Sequence, residues 1–155
     1  MRLFALIVAF TIPAFAADNV TPVHDSDPQM HAAITRARQT FGDFLKLKSQ
    51  GPEGTSGYMV KVRFEQGQDK EHMWVSPFRP NGKGGFDGVL KSEPRYVPNL
   101  KWGQQVSFSA DQVSDWGYTQ GGKRIGFFTT CVLLAKDAAL RKQVKDQGLD
   151  YACTP

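Results

Sequence analysis

The residues able to do chemistry fall into two small groups. His72 lies in an alternating stretch and shares one strand face with Trp74 and Ser76. Its neighbour Glu71 points to the opposite face and cannot orient it. His24 and His31 sit in a polar arm and on a first helical turn, and read as solvated side chains. The second group is Glu93, Arg95, Asp115, Trp116 and Tyr118. Glu93-Pro94-Arg95 sets two opposite charges two residues apart on a proline-stiffened segment. The planar guanidinium of arginine suits a carboxylate bidentately, and the aromatics offer apolar contact area. These properties point to a binding surface made of Trp74, Glu93, Arg95, Asp115 and Trp116, with Arg95 near one of the carboxylates. A structural reading stands beside it: Asp115 satisfies turn amides, Trp116 fills the core, and Arg95 pairs with a carboxylate.

A hydrolytic alternative uses His72 with Glu93 or Asp115 as acid or base, since two carboxylates in one cleft support glycoside or amide chemistry. The sequence contains no G-x-S-x-G, H-E-x-x-H, phosphate loop or G-x-G-x-x-G, so no familiar catalytic or nucleotide-binding set is present. Four zinc ligands at the usual spacing are absent as well. The sequence therefore implies no metal and no cofactor, and names no catalytic residue.

The elements that must position these groups follow from periodicity. Asp27-Pro28 starts a helix, with Asp as N-cap and Pro at the first helical position. Met30, Ala33, Ile34, Ala37, Phe41, Phe44 and Leu45 recur at spacings of three and four, which is one apolar face. Gly42 is a candidate break, with Thr40 capping a second short helix. The period then becomes two. Val60, Val62 and Phe64 alternate with Lys61, Arg63 and Glu65 in a strand from Tyr58 to Glu65, and Glu71 to Arg79 completes a hairpin. Further strands are predicted at about Phe86 to Lys91, Gln105 to Ser109, Asp115 to Thr119 and Arg124 to Ala135, the last two forming a hairpin around Gly121-Gly122. Ala110 to Ser114 reads as a single helical turn. Pro94 and Pro98 make the stretch between the third and fourth strands a stiff connection rather than an interior strand. Residues 137–147 form a short C-terminal helix stopped by Gly148. The fold class is α+β: a twisted antiparallel sheet of five or six strands, flat or curled toward a barrel, with the N-terminal helix on one face and a short C-terminal helix.

The chain opens Met1-Arg2, runs uncharged from Leu3, and closes with Ala14-Phe15-Ala16. That is the pattern of a secretory signal peptide over residues 1–16, and the run is too short to span a bilayer. Residues 17–26 read as a flexible arm and 27–155 as a single globular domain with no membrane span after cleavage. The predicted location is periplasmic or secreted. Export makes a disulfide between Cys131 and Cys153 plausible, closing the C-terminal helix onto the sheet; two free thiols are the alternative. The formal net charge is +4, and +3 once Arg2 leaves with the leader; no Lys/Arg run exceeds two. Nucleic-acid binders carry a basic stripe, so nucleic acid is excluded as a partner.

The strings His72-Met73-Trp74-Val75-Ser76-Pro77-Phe78, Glu93-Pro94-Arg95-Tyr96-Val97, Gly103-Gln104-Gln105-Val106 and Val113-Ser114-Asp115-Trp116-Gly117-Tyr118, with Asp27-Pro28-Gln29-Met30 before them, resemble the YegJ-like family. The resemblance spans roughly residues 27–135. It implies a small, often secreted bacterial domain of unknown function, with similar domains fused into larger proteins, and it transfers no reaction to any residue. The leading functional reading is a non-enzymatic periplasmic binding protein with a protein or cell-envelope partner. The small envelope hydrolase is the second.

Overall fold

In the computed structural model the described residues are 27–153. The leader and arm read over residues 1–26 lie outside them. Helix α1 runs unbroken over Pro28–Gln50. The carboxylate of Asp27 accepts the amides of Gln29 and Met30 at 2.9 and 3.3 Å. Gly51, with φ at 53°, ends the helix in the left-handed region and returns its amide to the Leu47 carbonyl. Gly42 does not break it. An exposed glycine costs a helix only about 1 kcal/mol against alanine, and Phe41 and Phe44 on either side of it are buried.

Strands β1 (Thr55–Gln66), β2 (Asp69–Pro80), β3 (Phe86–Leu90), β4 (Gln105–Phe108), β5 (Val113–Gln120), β6 (Lys123–Gly126) and β7 (Asp150–Tyr151) form one open sheet in the order β4-β3-β2-β1-β5-β6-β7. Every pair is antiparallel except β6–β7. The sheet does not close into a barrel, and it has seven strands where five or six are predicted. Its first face packs on α1. Val60, Val62 and Phe64 of β1, Met73 and Val75 of β2 and Trp116 and Tyr118 of β5 share one core with Ala37, Phe41 and Phe44. Phe44 stacks on Trp116 at 4.7 Å between ring centroids, and the Trp116 indole N–H donates to the Ala37 carbonyl at 3.0 Å. Ile34 lies at the margin and is only half-buried; Ala33 and Ala37 take the inner positions.

The C-terminal third departs from the periodicity. Residues 124–135 are not a long strand. β6 ends at Gly126, Phe127 takes a left-handed conformation with φ at 51°, and α2 follows over Phe128–Lys136. The near-continuous apolar run Phe127 to Leu134 fits a buried strand and a buried helix equally well. Asp137 ends α2 and caps α3 (Ala138–Asp146), accepting the amides of Ala139 and Leu140 at 2.9 and 3.0 Å. Cys131 therefore lies on α2 rather than on a strand. It is bonded to Cys153 just beyond β7, so the bridge ties the tail to α2 and encloses α3.

Two measurements check this packing. Phe44→Ala removes the ring at the centre of the aromatic stack, and we expect a loss of about 3–5 kcal/mol in urea unfolding. Cys153→Ser opens a loop that the chain-entropy model values at roughly 3 kcal/mol. Its melting temperature should fall below the native one under oxidising conditions and match it in reductant.

Candidate functional site

The polar groups gather on the sheet face opposite α1. Lys61 of β1 stands in register with Trp74 of β2 on one side and Asp115 of β5 on the other, which makes a row across three strands. The β1–β5 register shifts between Lys61 and Val62, and Ser114 lies at that irregularity. Asp115 is fully buried. Its Oδ1 accepts the amides of Trp116 (2.8 Å) and Phe128 (3.0 Å), and its Oδ2 accepts the amide (2.8 Å) and hydroxyl (2.5 Å) of Thr129. Two of those amides belong to the first turn of α2, where unsatisfied N–H groups and the helix dipole favour an anion. Asp115 thus caps a helix that begins 13 residues later in the chain.

Lys61 completes the row. Its ammonium donates to Thr129 Oγ1 at 2.8 Å and lies 4.8 Å from the centre of the Trp74 ring. Thr129 therefore receives a proton contact from the lysine and passes one to the carboxylate. Burial pushes the Asp115 carboxyl above the usual carboxylate range and the Lys61 amine below the usual lysine range; the attraction between the two charges opposes both shifts. Phe127 roofs the row, 5.1 Å from Trp74, and lies so close over Gly117 that a Cβ there would meet its ring at 2.2 Å. His72 Nδ1 is 2.7 Å from Ser114 Oγ, whose hydroxyl also reaches the Lys61 carbonyl at 3.2 Å. If that single hydroxyl proton goes to the carbonyl, the imidazole proton sits on Nδ1. Ser114 is fully buried, so it offers no attacking oxygen to a substrate.

The five residues read as one surface are divided by the fold. Trp74 and Asp115 share the polar row. Trp116, next to Asp115 on β5, points to the other face and belongs to the core under α1. Glu93 and Arg95 are exposed on the connection between β3 and β4. The carboxylate that organises this connection is Glu71, which accepts the backbone amides of Arg95 (3.1 and 3.0 Å) and Tyr96 (3.0 Å). Trp74 adjoins the same connection through its backbone: its N–H donates to Ser92 Oγ at 2.9 Å and its carbonyl accepts from Lys91 at 2.7 Å.

Residues 91–103 form a loop closed at its neck by Leu90 with Gly103 and Gln104, both bonds 2.9 Å. Val97 is buried as a plug. Tyr96 and Trp102 project outward, 57% and 59% exposed, and among the described residues they are the large hydrophobic side chains left open to solvent. Lys91 lies 5.2 Å from the Trp102 ring centre. Sequence reasoning missed Trp102 and Tyr96, because an exposed aromatic and a core aromatic look alike in a sequence. Pro94 and Pro98 were the available signal. It also missed Lys61 and Thr129: alternation assigns Lys61 to solvent, and Thr129 lies in the misread segment. Among the described residues no three His, Cys, Asp or Glu side chains converge to hold a metal, and no helix is long and apolar enough to cross a membrane.

A family model described as "Uncharacterized protein conserved in bacteria (DUF2314)" matches residues 27–151. The chain is 30% identical over 105 residues to the uncharacterized protein YegJ of Escherichia coli K12, covering 68% of this chain and 67% of that protein. It is 32% identical over 115 residues to the putative ankyrin repeat protein NMB1133/NMB1171 of Neisseria meningitidis serogroup B, covering 69% of this chain and 45% of that one. The match thus spans about two thirds of one relative and less than half of the other. No solved structure matches the chain.

The polar row makes an asymmetric prediction. Asp115→Ala leaves four donors without their acceptor and the nearby Lys61 ammonium without its counter-charge, a loss of about 3–5 kcal/mol. Lys61→Met leaves Asp115 with all four of its donors, so it should cost clearly less. Urea unfolding of both variants checks this; a larger loss for Lys61→Met would reverse the assignment.

Proposed function

We propose, for a chain that belongs to the DUF2314 family of proteins conserved in bacteria, a role as an exported, non-enzymatic binding protein. It recognises an exported protein or another cell-envelope partner through the loop 91–103. The observation that carries this reading is the exposure of Tyr96 and Trp102 on a backbone already fixed by its closed neck, the Val97 plug and the Glu71 carboxylate. A preorganised loop loses little ordering entropy on contact, and exposed aromatics supply contact area with a polar margin. Lys91, Arg95 and Lys101 against Glu93 give the loop a positive balance, which suits an acidic partner surface. Trp74 supports the loop from its root and Arg95 flanks Tyr96. Asp115 and Trp116 contribute by holding the scaffold.

Export rests on the A-x-A-terminated apolar leader, and the Cys131–Cys153 bond is compatible with an oxidising compartment. Against the hydrolytic reading stands the use of Asp115: its hydrogen bonds go to the start of α2 and to its own strand, which leaves exposed Glu93 as that reading's carboxylate.

Two tests follow. N-terminal sequencing of the protein recovered from its host should begin at Ala17; retention of residues 1–16 would remove the export step. For the loop, a photo-crosslinking residue at position 96 should trap a partner in the envelope, whereas the same residue at exposed Lys142 on α3 should not. Trp102→Ala should abolish the adduct while shifting stability by no more than about 0.5 kcal/mol, as surface substitutions do. An unchanged adduct yield in a folded Trp102→Ala protein would reject the loop as the contact surface.

A further inference from the structure

Beside its core-facing stripe, α1 carries a second stripe that no element fully covers. Gln29, Ala32, Arg36, Thr40, Asp43 and Leu47 line one wall of a groove of about 920 Å³. Their spacings are three or four throughout, so they form one flank of the helix over roughly 27 Å. The opposite wall is the α2 face of Phe128, Val132 and Ala135, with Ile125 in the floor. α2 runs antiparallel to the first half of α1: Lys136 at its end pairs with Asp27, and Arg36 lies over the Phe128 ring near its start. Ala32 and Ala135 are exposed, and Leu47, Ile125, Phe128 and Val132 are half-buried. The groove is therefore apolar between two opposite charges, Arg36 and Asp43, about 10 Å apart along the helix axis. Neither takes part in an ion pair among the described residues.

This stripe is complementary to itself when reversed. Laid antiparallel against a second α1 about a two-fold axis near Thr40, Arg36 faces Asp43 of the second copy and Asp43 faces its Arg36. In the same register Ala32 faces Leu47, and Gln29 faces Gln50. Small residues thus meet large ones and opposite charges meet twice, as a two-fold interface requires. The second copy's Leu47 would descend toward Ala32, Val132 and Ala135, the part of the groove where α2 supplies a second apolar wall. We propose that the α1 flank is a homodimer interface in which two α1 helices pack antiparallel in each other's grooves. This surface is independent of the loop 91–103, so either assignment can fail without the other.

Charge reversal tests the register. Analytical ultracentrifugation of the native protein should give twice the monomer mass at micromolar concentration. Arg36→Asp and Asp43→Arg should each weaken the dimer by about tenfold or more, since each sets like charges opposite one another at both ends. The combination Arg36→Asp with Asp43→Arg should restore it. Within one chain the two residues are seven apart and do not face each other, so restoration reports contact between copies. Ala32→Glu, which sets a charge against Leu47, should also dissociate the dimer. All four variants change exposed positions, and circular dichroism should show each of them folded as the native protein is. A native protein that stays monomeric at submillimolar concentration, a dimer indifferent to both single reversals, or a folded double variant that stays dissociated would each overturn the proposal.

Discussion

The carboxylate of Asp115 is the contact on which the C-terminal third of the molecule depends. It sits fully buried on β5 and receives the first amides of α2. α2 has no capping side chain of its own, since its N-cap position is the left-handed Phe127. Without a distant anion, the helix would begin with unpaired donors in a closed environment. Lys61 and Thr129 then make that anion tolerable, one by charge and the other by relaying a hydrogen bond. The row from Trp74 through Lys61 to Asp115 is thus a joint between sheet and helix. That role explains why Asp115 is buried and why Lys61 and Trp74 beside it, for all their look of a functional cluster, are half-buried.

The same joint fixes what lies around it. Once α2 starts at Asp115, its far end meets the beginning of α1 and its Phe128 packs edge-on against Trp116. Phe127 is turned the other way, over Gly117 and against Trp74. Two adjacent phenylalanines are thereby placed on opposite faces of the sheet just beyond the end of β6. Cys131, one turn into α2, is carried to the tail it bonds.

Much of the first half was legible because each residue there has one dominant neighbour. Val60, Val62 and Phe64 alternate cleanly, Asp27-Pro28 marks a helix start by local chemistry, and the hairpin turn at residues 66–69 joins two strands next to each other in the chain. The second half was less legible because its determinants are remote. Nothing near Phe128 in the sequence announces that its amide will be met by a residue 13 positions earlier. Lys61 reads as a solvent-facing strand residue until α2 is laid over it. Among the candidate residues, the sequence reading grouped Asp115 and Trp116 on one binding surface. Their opposite orientations follow from simple strand alternation, which the grouping of both on one surface overlooked. Arg95 was read on a proline-stiffened segment, but the carboxylate that organises that segment, Glu71, lies on the strand face dismissed when His72 was considered.

The position of β1 at the sheet's centre bears on how a nascent chain acquires this shape. β1 pairs at once with β2, its neighbour in the chain, but its other edge waits for β5, about fifty residues further on. Until residue 113 and those after it have left the ribosome, a long strand with a valine-rich face presents open amides and carbonyls to any passing β-segment. The chain is therefore most open to mispairing between the emergence of β2 and that of β5.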